Sequence, residues 1–163
     1  SITDASVDSL AKAMKGADTV VFSAGAGVEL TNAVDGEGLE KSVDAAQAAG
    51  VKRFILVSAF PDAGRGKHIS ETFENYMRVK RLADVYLAQS KLDWVILRPG
   101  TLTLEEGTGN VNAGLAIKYG DISRDDVAET LLAIIENEGI SRKIIELTEG
   151  ETPVREAIAS VPA

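Results

Sequence analysis

Tyr76 and Lys80 stand four residues apart in the stretch ETFENYMRVK. On a helix that spacing places the phenol and the ammonium on one face. A phenol with its ordinary pKa near 10 is a poor base at neutral pH. An ammonium one turn away favours the phenolate and draws that pKa down. Upstream, the apolar run from Phe54 to Val57 ends in Ser58. A hydroxyl at a strand's end and a Tyr/Lys pair on the following helix make a proton-transfer site. In it the serine holds the oxygen that gains or loses the proton while a cofactor exchanges a hydride, a chemistry suited to carbonyl/alcohol interconversion. Y-x-x-x-K alone arises by chance on many helices; its place directly after the strand ending in Ser58 is what gives it weight.

The elements that must position these residues can be taken in order. Thr3 or Asp4 caps a first helix with Val7, Leu10, Ala11 and Met14 on one face, and Gly16 stops it. TVVFSA is a β-branched apolar run of strand length, buried on both faces. It closes in SAGAG, Ser23 to Gly27, a tight loop of the kind that lets backbone approach a ligand but that also simply ends strands. From Asp35–Gly38 a helix runs to Ala49 on an apolar stripe of Leu39, Val43 and Ala46, with Gly50 as its stop. The VKRFILVSA strand follows. Then comes a polar, Gly-rich surface loop carrying His68, an exposed histidine on the plain reading and a substrate contact on the other. The Tyr/Lys helix continues to about Ser90 on a stripe of Val79, Leu82, Ala83, Tyr86 and Leu87. Strand DWVILR ends at Pro99–Gly100, and 101–119 reads as mostly loop with a short strand near Ile117. S-x-x-D at Ser123 to Asp126 opens another helix, KIIELT is a last strand, and Pro153 starts a terminal helix. Short apolar strands alternating with helices call for a parallel sheet with helices on both faces, in a single domain over 1–163.

Composition narrows the function classes. Of 163 residues 45% are hydrophobic, enough for one core of ordinary size, and the net charge is −8 with no basic run. Nucleic acid and anionic membrane are therefore not expected partners, and a small molecule is the expected substrate. With no cysteine and one histidine, neither a disulfide framework nor a typical zinc site is expected. No apolar run approaches a membrane span, so cytoplasmic is the simplest location.

The run VDGEGLEKSVDAAQAAGVKRFILVSA, then YMRVK, then WVILRPGTLT resembles the short-chain dehydrogenase/reductase superfamily. The likeness is closest to its atypical NmrA-like or epimerase-like NAD(P)-binding members, and it extends from Ile2 to about Pro153. It implies a Rossmann-like α/β fold and NAD or NADP as cofactor. It also implies an oxidoreductase or epimerase-like enzyme acting on a small carbonyl, alcohol or sugar-type substrate; the alternative is a non-catalytic NAD(P)-binding regulator such as an NmrA-like redox sensor. By motif, Ser58 would orient the substrate and Tyr76 would be the acid/base. Lys80 would bind the nicotinamide ribose and lower the tyrosine's pKa. Ser23, Ala24, Gly25, Ala26 and Gly27 would lie against the adenosine half, and Arg98, Pro99 and Gly100 would pass the carboxamide. Substrate choice would lie in 61–72 and 101–119.

The family begins with a strand, a G-x-x-G-x-x-G turn, a helix and a strand, and no such glycine pattern occurs in these 163 residues. By this resemblance the chain looks like the C-terminal three-quarters of such a protein, and the fold's first strands are expected to be absent from it. Three expectations follow: an exposed edge at Thr19–Ala24 open to pairing or homo-oligomerisation, a first helix lacking most of its partners, and weak cofactor binding by these residues alone.

Overall fold

The computed structural model describes residues 1–25, 30–60 and 70–162; Ala26, Gly27, His68 and most of the 61–72 loop lie outside them. The architecture is mixed α/β. By contacts the chain divides into two compact units, one of Ser1–Val57 with Gly66–Trp94, the other of Ser58–Arg65 with Val95–Ala163.

In the first unit α1 (Val7–Met14) is capped by Ser6, whose hydroxyl accepts the Ser9 N–H at 3.2 Å. The cap is therefore neither Thr3 nor Asp4, because it is Ser6 whose extended backbone turns the oxygen onto the first turn. Val7, Leu10, Ala11 and Met14 are half-buried. The partner is α2 (Leu39–Ala49). From α2, Lys41 Nζ donates to the carbonyls of Ile2, Thr3 and Ala5 at 2.9, 3.0 and 3.1 Å. These bonds hold the segment before the first helix, while no residue of α1 itself is buried.

Strand β1 (Thr19–Phe22) pairs in parallel with β2 (Arg53–Val57), Val20 opposite Phe54 and Val21 opposite Ile55. Phe54, Ile55 and Leu56 are fully enclosed, as a continuous apolar run requires. β1 lies at the end of its sheet, and Val21 is exposed, so the expected edge is present, over Thr19–Phe22. Between β1 and α2, Asn32–Gly38 forms a π-helical segment that runs directly into α2. Leu39, Val43 and Ala46 are buried, as their spacing dictates. Gly50 closes α2 at φ +76°, a left-handed conformation that favours glycine.

Helix α3 (Glu71–Ala88) is capped by Ser70. It buries Met77, Val79, Lys80, Ala83, Asp84 and Leu87, while Leu82 is 54% exposed and Tyr86 reaches the Asp44 carboxylate at 2.8 Å. The stripe expected through Leu82 and Tyr86 is thus displaced: two charged residues, Lys80 and Asp84, occupy the inner face, and an apolar leucine is turned outward.

Strand β3 (Asp93–Pro99) starts in the first unit and continues in the second, where it pairs in parallel with β7 (Lys143–Glu149). β5 (Asn110–Gly114) pairs antiparallel with β7 and with β8 (Thr152–Pro153). β4 (Thr101–Thr103) and β6 (Asp121–Ser123) form a short parallel pair. Helices α4 (Arg124–Glu136) and α5 (Val154–Ala159) complete this unit, around Val95, Ile96, Leu97, Ile122, Ile134, Ile145 and Leu147. The segment 101–119 therefore carries two strands, and neither covers Ile117, whose N–H goes instead to Glu146 Oε2 at 2.8 Å. NVNAG has no strand pattern of its own; its pairing comes from β7 and β8.

Candidate active site

Tyr76 and Lys80 do share a face of α3, and that face looks onto the π-helical segment. Gly36 makes the close approach possible: a Cβ there would stand 3.3 Å from Val79 Cγ1. A cross-link at the helix surface, Asn75 Nδ2 donating to Asn32 Oδ1 at 3.2 Å, ties the two together. This packing carries Asp35 inward until it is 1% exposed. Lys80, 6% exposed, meets it with Nζ 2.9 Å from Asp35 Oδ1, and Nζ also donates to the Val57 carbonyl at 3.3 Å. The ammonium lies 5.8 Å from the centre of the Tyr76 ring, within reach of a cation–π attraction. A Cβ added to Gly25, the middle of the SAGAG loop, would lie 3.6 Å from Asp35 Oδ1. The loop glycine, the acid and the Tyr/Lys pair thus converge in the first unit.

The electrostatics differ from the sequence expectation. Burial of the half-enclosed Tyr76, and after it the negative charge of Asp35, push the phenol above its ordinary pKa. Lys80 was expected to pull it down. Its charge is instead matched by a carboxylate the sequence reading did not single out. Asp35 gave no signal there, since an acid in the first turn of a helix is ordinary macrodipole decoration.

Ser58 belongs to the second unit. Its N–H donates to the Leu97 carbonyl at 2.7 Å, at the end of β3. Its Oγ is buried and has no hydrogen-bond partner among the described residues. Arg98 and Pro99 end β3, with Arg98 opposite Glu146 and Pro99 opposite Leu147. Gly100 has a packing reason to be glycine: a Cβ there would fall 1.9 Å from the Gly120 carbonyl oxygen, which accepts the Thr101 N–H at 3.0 Å. Of the SAGAG loop, Ser23, Ala24 and Gly25 are described and exposed; Ala26 and Gly27 lie outside the described residues. Among the described residues no group of three acidic or histidine side chains could hold a metal ion, and no helix is long and apolar enough to cross a membrane.

An ammonium has three N–H donors; among the described residues that of Lys80 meets Asp35 and the Val57 carbonyl. The buried Ser58 hydroxyl, with no partner, carries the cost of an unmet hydrogen bond until something fills it. Parallel strands alternating with helices are the architecture of Rossmann-type nucleotide-binding proteins.

The chain belongs to the NAD(P)H-binding family, whose model its residues 2–138 match. The uncharacterized sugar epimerase YhfK of Bacillus subtilis is 40% identical to it over 159 residues, covering 95% of this chain and 74% of the relative. Among solved structures, the oxidoreductase ylbE from Lactococcus lactis matches 97% of this chain and 74% of its own at a TM-score of 0.86 and 32% identity. ChuY, an anaerobillin reductase from Escherichia coli, matches 91% of this chain and 72% of its own at a TM-score of 0.75 and 27% identity.

Proposed function

We propose that the protein is an NAD(P)H-dependent reductase of a small carbonyl compound, sugar-type substrates included, in which Tyr76 delivers the proton. The cofactor, when bound, supplies the hydride. The single observation behind this reading is the half-buried Tyr76 phenol, held above its ordinary pKa by that burial and then by Asp35, which pairs with Lys80 beside it. A phenol in that state is protonated throughout the neutral range. It serves as a general acid towards an oxygen acquiring negative charge, which is the reducing direction. Lys80 contributes its remaining N–H to the ribose, fixed in place by Asp35 and the Val57 carbonyl. Ser58, on the separate ground of its unpartnered buried hydroxyl, offers a hydrogen bond to substrate oxygen. The reductase and oxidoreductase among the similar structures support the direction of the reaction, and the epimerase relative supports the sugar class.

Tyr76→Phe tests the proposal. NAD(P)H oxidation with a panel of aldehydes, ketones and ketosugars should fall by about 10²–10⁴-fold, the usual worth of general acid catalysis, with cofactor affinity unchanged. A loss of only a few-fold removes Tyr76 from the chemistry. The donor form exists below the phenol's pKa, which lies above about 10. Activity therefore should not decline from loss of this proton between pH 6 and 9, roughly, and a base-limb midpoint near 7 would contradict the assignment. The second reading, a non-catalytic NAD(P)-binding regulator, draws on the same ion pair, because Asp35 withholds from Tyr76 the charge that would activate it as a base. Tight cofactor binding with no hydride transfer to any carbonyl would favour it.

A further inference from the structure

Asp35 is among the most enclosed charged groups of the first unit, and it comes from the only described π-helical segment. Such wide turns are rare and frequently fall at functional sites. Its carboxylate has no hydrogen bond from backbone or hydroxyl among the described residues; its contact is the Lys80 ammonium at 2.9 Å. An enclosed carboxylate normally gathers several N–H or O–H donors, and one with a single cation is electrostatically costly. A merely structural anchor for α3 is already available in the Asn32–Asn75 bond and the Gly36–Val79 packing.

We propose that Asp35 is a positioning residue: by taking the Lys80 ammonium into a buried ion pair and holding it against the Val57 carbonyl, it keeps that charge from the Tyr76 phenol and dedicates the tyrosine to giving a proton rather than taking one. The inference rests on the reading of Tyr76 as the proton donor and adds the device that sets its direction. Among the described residues, the charged groups that face this phenol are few. Lys80 lies on its own helix, 5.8 Å from the ring centre, and Asp35 comes from the π-helical segment. Glu37 of that segment is exposed. In α2, Lys41 is engaged with carbonyls of residues 2–5 and Asp44 with Tyr86. The raised phenol pKa agrees with this arrangement, burial being its first cause and Asp35 its second.

The experiment is carbon NMR of the full chain labelled at tyrosine Cζ, titrated from neutral to alkaline pH. Tyr76→Phe identifies the signal among the three tyrosines. In the wild type Tyr76 should titrate above about 10. In Asp35→Asn the unmatched ammonium should bring the midpoint down by about one unit or more. A Tyr76 signal unmoved in folded Asp35→Asn overturns the positioning role. If Asp35→Asn does not fold, the double variant Asp35→Asn, Lys80→Met carries the test, since removing both members of a buried pair is tolerated better than removing one. Its Tyr76 midpoint should stay within about half a unit of wild type, because cancelling charges were replaced by none; a shift of about one unit or more in either direction overturns the proposal. The readout needs neither cofactor nor turnover. Full reductase activity in Tyr76→Phe would therefore defeat the functional reading while leaving the NMR comparison standing. An unmoved signal would defeat the role of Asp35 while leaving the tyrosine's.

Discussion

Lys80 shows how one side chain can answer two demands. Its ammonium is nearly sealed from water, a costly state made tolerable by a carboxylate at 2.9 Å and a carbonyl at 3.3 Å. Removing it leaves Asp35 charged and alone in the interior. Lys80→Ala should therefore lower the unfolding free energy by about 3–5 kcal/mol in a denaturant titration, as breaking a buried pair does, and weaken NAD(P)H binding as well. Full stability together with normal cofactor affinity would show that neither the pair nor the ribose contact carries weight. Arg155 and Glu136, an exposed pair on the second unit, offer the contrast: both stay hydrated, and breaking that pair should leave stability nearly unchanged.

At the scale of elements, the turn before β5 is organised by one acid. Asp126, in the first turn of α4, accepts the Thr108 N–H at 3.0 Å and the Gly109 N–H at 2.8 Å, while its own N–H donates to the capping Ser123 hydroxyl at 3.0 Å. Burial pushes its carboxyl up, but the N–H groups of Thr108 and Gly109 and the hydroxyls of Ser123 and Thr108 outweigh it, so the pKa lies below its ordinary value. A carboxyl depressed on folding stabilises the fold fully above its unfolded pKa near 4, and the contribution fades as pH falls through the lower folded value. Asp126→Asn keeps one acceptor oxygen and loses the charge. It should cost about 1–3 kcal/mol at pH 7 and flatten the acid side of the stability–pH curve below about pH 4. An unchanged acid limb would mean the turn is held by β5 alone. The S-x-x-D pattern announced this helix start; that its aspartate also clamps a turn 17 residues upstream did not show.

On the scale of the whole molecule, the −8 charge gives no general attraction for a dinucleotide diphosphate. Backbone N–H groups of a glycine-rich turn and a helix N-terminus receive that group in Rossmann-type proteins, and these 163 residues contain no G-x-x-G-x-x-G. Calorimetric titration of the 163-residue chain with NADH and NADPH should accordingly give millimolar affinity, about −4 kcal/mol, against roughly −8 kcal/mol for a micromolar site. Micromolar binding would mean that the chain holds diphosphate in a way its glycine pattern does not reveal.

The alternation of α1, β1, α2, β2, α3 and β3, the burial of Phe54 to Leu56, the stripe of α2 with its glycine stop, and the face shared by Tyr76 and Lys80 were all legible in the sequence. Each depends on periodicity or on a local backbone preference, interactions that reach only a few residues along the chain. The identity of the NAD(P)H-binding family was legible for a related reason, since its motifs are runs of contiguous residues. Asp35 was not legible, because its role depends on a lysine 45 positions later and on a glycine, Gly36, that lets the π-helical segment approach α3. Nor were the strands in 101–119, whose hydrogen bonds come from partners with no trace in their own pattern. The same limit governed Tyr76. Spacing placed a cation one turn away and argued for a lowered pKa, but burial and an acid brought from another element set the opposite direction, and only the folded chain brings those together.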